Sequence, residues 1–211
     1  ALPSRGTMQL GISRILPVSQ HVRNDTIRNE THRGLRIIKR DNNEWQKRGS
    51  AAMKTAYFAG GCFWGVEHLM RQQDGVLDVV SGYMGGHQDN PSYREVCNKT
   101  TGHLEAVEVS YDPERVDYET LAKLFFEIHD PTQMDGQGPD LGEQYASAVF
   151  VDGDEERATI EKLIGILQGK GLKVATKVLP LCRFWKAEEY HQNYYAKTGK
   201  EPYCHFHTPR F

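Results

Sequence analysis

One stretch of this sequence combines a nucleophilic side chain with backbone features that would activate it. The segment Ala59-Gly-Gly-Cys-Phe-Trp-Gly65 follows an apolar run and precedes apolar residues at helical spacing. Cys62 therefore lies where a strand turns through two glycines into a helix, whose free amides and dipole favour an anion. We predict a thiol of lowered pKa that acts as a nucleophile. The alternative is a buried structural cysteine, the more common role of a lone cysteine.

A second candidate is an acid on the inner face of a strand. Residues 104–111 alternate so that Glu105 shares a face with Val107, Val109 and Tyr111. Desolvation on that face would raise the pKa of the carboxyl, whereas at the wet end of the strand Glu105 would be an ordinary acid. A thiolate with a neutral acid nearby suits attack on a centre whose leaving oxygen must be protonated.

Four cysteines are present, and none of them forms a C-x-x-C pair, so the usual zinc and thioredoxin-like spacings are absent. Cys204 lies in an irregular tail, residues 198–211, which we predict to be flexible. A flexible tail suits a resolving cysteine that closes a disulfide with an oxidised Cys62.

Two rival functions use some of the same residues. A cysteine hydrolase would pair Cys62 with His103 as base, and it would not need Cys204. A metal-binding protein would use Cys204, His205 and His207 with another cysteine. Because paired ligand spacing is lacking, we expect His205 and His207 to be solvated tail residues and the protein to bind no metal.

Two glycine-containing loops carry further polar candidates. Tyr93 follows Asn90-Pro91 in the first loop, while the second loop, residues 133–144, contains Asp140 and leads into Tyr145. Loops of this length tend to be functional. Asp140 would bind substrate or a neighbouring N–H, or it would simply form a turn, which is the commoner use of Asp.

The composition is ordinary for a globular protein, with 38% hydrophobic and 26% charged residues, and no apolar run is long enough to span a membrane. Ten of the 26 Lys and Arg residues but only four of the 28 Asp and Glu residues fall in the first 50 positions. The remainder is therefore negatively charged, which argues against nucleic acid as its ligand.

Residues 1–53 are polar, Arg-rich and without steady periodicity, and we interpret them as an N-terminal extension outside the catalytic core. They are an upstream-coded extension, a variable arm that wraps the domain, or the remnant of an organelle-targeting segment. We expect a cytoplasmic protein, or an organelle protein if a targeting remnant is present.

Periodicity places strands and helices in near alternation along residues 54–211. The strands are predicted at 54–59, 76–83, 105–111, 145–151 and 173–179, and the helices at 66–73, 117–128, 160–167 and 187–197. This order favours an α+β or α/β sheet covered by helices, followed by the irregular tail.

Several motifs in this order and spacing resemble those of the peptide-methionine sulfoxide reductase A family. The resemblance runs from about residue 54 to 206, and its most specific parts are Gly61-Cys-Phe-Trp-Gly65 and Gly102-His-Leu-Glu-Ala-Val107. Further matching segments are Asn90–Cys97, Asp130–Thr132, Gly142–Tyr145 and Glu188–Gln192.

The resemblance implies an α+β two-layer sandwich with a ferredoxin-like core and a mixed sheet covered by helices. It implies reduction of S-methionine sulfoxide, free or in oxidised proteins, as a repair activity. Cys62 would attack the sulfoxide sulfur, and Glu105 would protonate its oxygen. The supporting residues would be Tyr93, Tyr145 and Asp140 for the oxygen, and Phe63 and Trp64 for the substrate methyl.

The same resemblance implies that Cys204 resolves the Cys62 sulfenic acid and that thioredoxin reduces the resulting disulfide, without a bound cofactor. We expect a monomer that binds neither nucleic acid nor membranes. Cys97 matches a non-catalytic family position, and we interpret Cys182 as structural. Pro202 replaces a usual glycine near the resolving cysteine, and Gly199 would supply the hinge.

Overall fold

A computed structural model describes residues 52–211, so the predicted extension of residues 1–53 lies almost entirely outside the described residues. The strands of the described part are β1 (Lys54–Gly60), β2 (Val76–Met84), β3 (Leu104–Tyr111), β4 (Gly136–Gln137), β5 (Asp140–Leu141), β6 (Ser147–Val151), β7 (Lys177–Pro180) and β8 (Trp185–Lys186). Its helices are α1 (Phe63–Met70), α2 (Tyr93–Cys97), α3 (Tyr118–Ile128), α4 (Asp154–Gly169) and α5 (Tyr194–Thr198).

Six strands form one mixed sheet in the order β7-β6-β1-β3-β2-β8. The four inner strands pair antiparallel, and together with α1 and α3 they follow the β-α-β-β-α-β order of a ferredoxin-like core. After α4, β7 joins β6 in parallel, and β8 pairs antiparallel with β2 at the other edge. The predicted α+β fold with a mixed sheet and a ferredoxin-like core is confirmed.

Helices cover one face of this sheet, where the main hydrophobic core lies. Along β3, Val107, Val109 and Tyr111 are buried in that core, whereas Ala106 belongs to a smaller cluster on the opposite face. The predicted alternation of β3 is therefore confirmed. It directs the Glu105 side chain toward the helical layer.

The helix α3 illustrates how the local sequence sets an element. Asp117 is its N-cap, and the carboxylate accepts a hydrogen bond from the Thr120 amide at 2.7 Å. Such a cap stabilises a helix by about 1 kcal/mol. Its apolar residues recur at helical spacing: Leu121, Phe125 and Ile128 are fully buried, and Leu124 is partly buried against the same core.

The predicted helix at 187–197 is wrong over most of its length, since α5 begins only at Tyr194. Asn193 adopts the left-handed conformation, with φ of +54°. The Gln192 side chain bonds both the amide and the carbonyl of Ser81 at 2.9 Å, and thereby pairs with the backbone of β2. Long-range contacts here outweigh the helical pattern.

The tail after Gly199 has neither helix nor strand, as predicted, but it is anchored. The Thr208 amide donates to the Glu127 carbonyl at 2.7 Å, and Arg210 Nε donates to the Phe126 carbonyl at 2.9 Å. These bonds fix the tail on the C-terminal end of α3. The tail is thus anchored in this structure, and its flexibility stays a prediction.

Candidate active site

Cys62 lies where β1 gives way to α1. The strand ends at Gly60, Gly61 follows with a φ of +95°, and Cys62 is the N-cap of the helix. Gly61 is required, because its φ lies in the left-handed region and a Cβ would come within 2.4 Å of Gln137. The predicted position of the thiol, between a glycine turn and a helix start, is confirmed.

The first two amides of α1 act on the two candidate reactive groups. The Phe63 N–H donates to Glu105 Oε2 at 3.0 Å, and the Trp64 N–H lies near the Cys62 sulfur and acts to lower the pKa of its thiol. Amides at a helix start have no partner within the helix. The Phe63 amide thus finds its partner in Glu105 and fixes the carboxyl beside the residue that carries the thiol.

The Glu105 carboxyl is held away from water, with only 1% of the residue exposed. Burial raises its pKa well above the ordinary value, and negative charge on Cys62 and Asp140 adds to the rise, whereas the Phe63 amide opposes it. The environment therefore favours the protonated carboxyl, which is the form that donates a proton. The predicted desolvation of this acid is confirmed.

The tail places the second cysteine directly on the first. Cys62 and Cys204 are each 6% exposed, and their thiols lie close together without forming a disulfide. The interaction with the Cys204 thiol and burial raise the pKa of Cys62, although the Trp64 amide lowers it. The predicted lowering of that pKa is wrong for this arrangement, because the second thiol and the loss of solvent outweigh the helix start.

His205 is buried, which corrects the expectation of a solvated tail residue. It is 2% exposed, and its Nε2 lies 2.7 Å from the Gly60 carbonyl oxygen. Its Nδ1 lies 3.1 Å from the Cys204 sulfur. The ring occupies space beside Gly65, where a Cβ would come within 2.2 Å of Nδ1. His205 thus anchors the tail in the glycine turn that precedes α1.

An aromatic cluster surrounds the start of α1, as the Phe63-Trp64 pair predicts. Phe63 is buried, and Trp64 stacks on Tyr194 with 3.7 Å between ring centroids. His191 completes the cluster: its Nδ1 accepts a hydrogen bond from Trp64 Nε1 at 3.1 Å, and its ring lies 4.4 Å from that of Tyr93. Such a surface suits a small apolar group.

The two loop tyrosines lie near Glu105. Burial is the main cause of the raised pKa of both Tyr93 and Tyr145, and the negative charge of Glu105 contributes to each. Tyr93 is the first residue of α2, and its hydroxyl is hydrogen-bonded to the Cys97 sulfur. Both hydroxyls therefore remain protonated and able to donate hydrogen bonds.

Asp140 approaches the same place from the second loop. Each of its carboxylate oxygens lies 3.0 Å from the Tyr203 hydroxyl, which donates to them. The charge of Asp140 also raises the pKa values of Cys62 and Glu105. The structure thus brings all the sequence-predicted site residues to one end of the sheet, with Asp140 tied to the tail.

The sequence analysis assigned no role to Glu188, whose carboxylate holds two tyrosines next to the aromatic cluster. Its Oε1 accepts a hydrogen bond from the Tyr93 amide at 2.9 Å, and its Oε2 accepts one from the Tyr83 hydroxyl at 2.8 Å. His191 was missed in the same segment. Both residues were missed because the segment was predicted to be a helix over 187–197. The polar run Glu188–Gln192 was a signal that this segment also makes specific hydrogen bonds.

The rival functions find no support in the described residues. His103 packs against Gly86, where a Cβ would come within 2.1 Å of Nδ1, and the nearby charge that acts on it is His87. Residues 52–211 contain no group of three or more side chains that could hold a metal ion. His207 instead pairs with Glu127 at 3.1 Å.

Two further observations bear on the sequence predictions. Cys182, which we interpret as structural, is exposed and not buried in the core. Within the part of the chain that the structure describes, no helix is long and apolar enough to cross a membrane.

Two buried thiols next to a protonated carboxyl, carried by an α+β sheet, define a thiol-dependent oxidoreductase. The family model described as peptide methionine sulfoxide reductase matches residues 54–210. The chain belongs to this family.

Individual relatives agree. Peptide methionine sulfoxide reductase MsrA of Nautilia profundicola is 49% identical over 152 residues, which cover 72% of this chain and 88% of that protein. The MsrA of Thermus thermophilus is 47% identical, over 72% of this chain and 86% of its own length.

Solved structures show the same fold. Mxr1 from Saccharomyces cerevisiae in reduced form is 37% identical, with a TM-score of 0.71, covering 77% of this chain and 96% of that chain. Mxr1 in complex with Trx2 is 29% identical, with a TM-score of 0.52, covering 77% of this chain and 94% of that chain.

Proposed function

We propose that Cys62 is the nucleophile with which this chain reduces the S epimer of methionine sulfoxide, free or in proteins. The observation that carries the assignment is the pair of adjacent amides at the start of α1. The Phe63 amide binds the Glu105 carboxyl, and the next amide, that of Trp64, acts on the Cys62 sulfur and favours its ionised form. A sulfoxide whose sulfur is attacked by Cys62 then presents its oxygen to a neighbouring acid.

The first step transfers an oxygen atom. The Cys62 sulfur attacks the sulfoxide sulfur and forms a sulfur–sulfur bond, while Glu105 donates its proton to the oxygen and regains one from the Cys62 thiol. The sulfur–oxygen and sulfur–sulfur bonds then break as the hydroxyl group moves to the Cys62 sulfur, so that Cys62 becomes a sulfenic acid and methionine leaves. The Cys62 sulfur supplies both electrons that reduce the sulfoxide, so the step needs no outside electrons. A positioned acid of this kind contributes roughly 10²–10⁴-fold to the rate.

Other side chains hold the substrate in this scheme. Phe63 and Trp64 offer an apolar surface for the substrate methyl group. Tyr93 and Tyr145 offer hydroxyl donors to the sulfoxide oxygen. Asp140 takes part in the same site through the hydroxyl of a tail residue or through a bound water.

The tail acts before and after this step. Because Cys204 lies on the sulfur that the substrate must reach, the tail moves aside for the substrate and then returns. The Cys204 thiol attacks the sulfenic sulfur of Cys62, a disulfide forms, and the oxygen leaves as water.

Two electrons from an external dithiol must then reopen the disulfide. We assign this role to thioredoxin, supported by the complex of the related Mxr1 with Trx2. The enzyme then needs no prosthetic group.

We further propose that the catalytic domain comprises residues 54–211, that residues 1–53 are an extension, and that the protein works as a cytoplasmic monomer.

The assignment is tested by counting free thiols after incubation with excess methionine sulfoxide and no reductant. The wild type should lose two thiols per chain and release methionine. Cys62→Ser should release no methionine, whereas Cys182→Ser, which removes an exposed cysteine, should behave as the wild type. Methionine release by Cys62→Ser at the wild-type rate would exclude Cys62 as the nucleophile.

A further inference from the structure

The resolving cysteine has a hydrogen-bonded partner that the scheme above does not use. The His205 ring lies between two groups: its Nδ1 is 3.1 Å from the Cys204 sulfur, and its Nε2 is 2.7 Å from the Gly60 carbonyl oxygen. The ring thus links the sulfur of the tail to the backbone that immediately precedes the glycine turn at Cys62.

The carbonyl determines which nitrogen carries the proton. A carbonyl oxygen only accepts hydrogen bonds, so Nε2 of His205 must be the donor to Gly60. In a neutral imidazole the other nitrogen, Nδ1, is then an acceptor with a free lone pair. The Cys204 S–H therefore donates to Nδ1, and the contact has the polarity needed for proton transfer from sulfur to nitrogen.

The surroundings keep this ring neutral and fixed. His205 is 2% exposed, and burial lowers its pKa. The ring fits because residue 65 is glycine, since any Cβ there would come within 2.2 Å of Nδ1. Among the neighbouring titratable groups, the charge of Asp140 raises the pKa of His205, and a charge on His205 lowers the pKa of His129. The Cys204 thiol contacts the ring directly, and the Cys62 thiol lies beside Cys204.

We propose that His205 is the general base of the resolving step, taking the proton of Cys204 as its sulfur attacks the Cys62 sulfenic acid. The role rests on the proposed function, because it requires that sulfenic acid. It adds a catalytic residue to the second step alone, in an arrangement of thiol, imidazole and backbone carbonyl in which the carbonyl of Gly60 orients the base.

The step balances without any added reagent. The bond between the Cys204 sulfur and its hydrogen breaks, and the proton passes to Nδ1 of His205. The sulfur–sulfur bond forms while the sulfur–oxygen bond of the sulfenic acid breaks. The departing hydroxide takes up the proton held by His205 and leaves as water, so the imidazole returns to its neutral form.

The test separates a base from an anchor. In His205→Gln the side-chain amide keeps a donor for the Gly60 carbonyl but has no basic nitrogen. His207→Gln is the matched control, because His207 is also a tail histidine but pairs with Glu127 at the surface, and the glutamine amide keeps a donor for that carboxylate. Each full-length protein is mixed with methionine sulfoxide without reductant, and methionine release and the subsequent loss of the Cys204 thiol are timed separately.

The ratio of the second rate to the first is the decisive quantity. At pH 7 it should fall on the order of 100-fold in His205→Gln and stay unchanged in His207→Gln. The second rate of His205→Gln should also rise with pH, because hydroxide must then replace the missing base, whereas the wild-type rate should stay nearly flat. His205→Asn repeats the comparison if circular dichroism shows that His205→Gln is misfolded.

Two results would overturn the inference. One is a His205→Gln ratio equal to the wild-type ratio. The other is an equal loss at every pH, which would mark His205 as an anchor only. A wild type that releases no methionine would instead refute the proposed function, and the two failures are therefore distinguishable.

Discussion

The chemistry of this protein depends on how two residues, Cys62 and Glu105, share one helix start. The Phe63 amide binds Glu105 and the Trp64 amide favours an ionised Cys62, while negative charge on Cys62 raises the pKa of Glu105. A buried site with these neighbours does not hold two negative charges at little cost. A sulfoxide that reaches the Cys62 thiol therefore meets a neighbouring carboxyl, Glu105, that is already protonated and able to donate its proton.

The raised pKa of Glu105 should make stability depend on pH. The folded chain binds this proton more tightly than the unfolded chain, so the free energy of unfolding falls as pH rises above the ordinary Glu pKa and until the raised pKa is passed. The slope is at most about 1.4 kcal/mol per pH unit. In Glu105→Gln this loss should vanish, as measured by urea unfolding across pH. Glu114→Gln, at an exposed position, should keep the wild-type slope, and equal slopes in both variants would contradict the assignment.

The thiol of Cys204 should control how easily Cys62 ionises. Its interaction with Cys62 is the largest cause of the raised Cys62 pKa, whereas the Trp64 amide acts in the opposite direction and remains in any Cys204 variant. Cys204→Ala should therefore lower the pKa of Cys62, seen as a shift to lower pH of the midpoint for iodoacetamide alkylation. A midpoint that does not move would show that burial alone sets this pKa.

At the scale of elements, α1 is built to accept the tail as well as to start a helix. A glycine in the first turn of a helix normally weakens it, but at Gly65 the missing side chain leaves the space that His205 fills. Gly65 therefore lowers the helix propensity of α1, but it leaves room for His205, the residue that follows the resolving Cys204.

Two glycine-to-alanine variants should separate these effects. Gly65→Ala should displace His205 and slow closure of the disulfide between Cys62 and Cys204, because the new Cβ would lie 2.2 Å from the present position of Nδ1. Gly165→Ala, in α4 with open space around it, should only stabilise the protein, by about 0.5–1 kcal/mol. Disulfide closure is timed by mass spectrometry after one turnover, and equal closure rates in both variants would argue against the fit.

The elements also show what the sequence could and could not predict. β1, β3 and α3 carry clear periodic patterns, and these predictions hold. The segment 187–193 fails because its conformation depends on partners far away in sequence, such as Ser81, which lies 111 positions from Gln192. The burial of His205 was invisible for the same reason, since nothing local in the tail signals a contact with Gly60.

At the scale of the whole molecule, the C-terminal tail contacts two separate elements. It binds near the start of α1 through His205 and near the C-terminal end of α3 through Arg210. Arg210 donates to the Phe126 carbonyl at 2.9 Å, near the helix end, where unpaired carbonyls and the helix dipole favour a cation. Its own amide donates to Glu127 Oε1 at 2.8 Å. Cys204 is therefore held between two anchors, His205 on one side and these contacts on the other.

Loosening the distal anchor should change the exposure of Cys204 without touching any group at the site. In Arg210→Ala the tail keeps its backbone bonds to Glu127 but loses the guanidinium bonds to the Phe126 and His129 carbonyls, so Cys204 should leave Cys62 more often and react faster with a maleimide reagent. The expected gain is on the order of tenfold, which corresponds to about 1.4 kcal/mol, the size of one hydrogen bond. Lys200→Ala, an exposed tail variant on the near side of Cys204, should leave the rate unchanged. Labelling of Cys204, followed by peptide mass spectrometry, reports both rates, and a rate in Arg210→Ala equal to that in Lys200→Ala would show that His205 alone holds the tail.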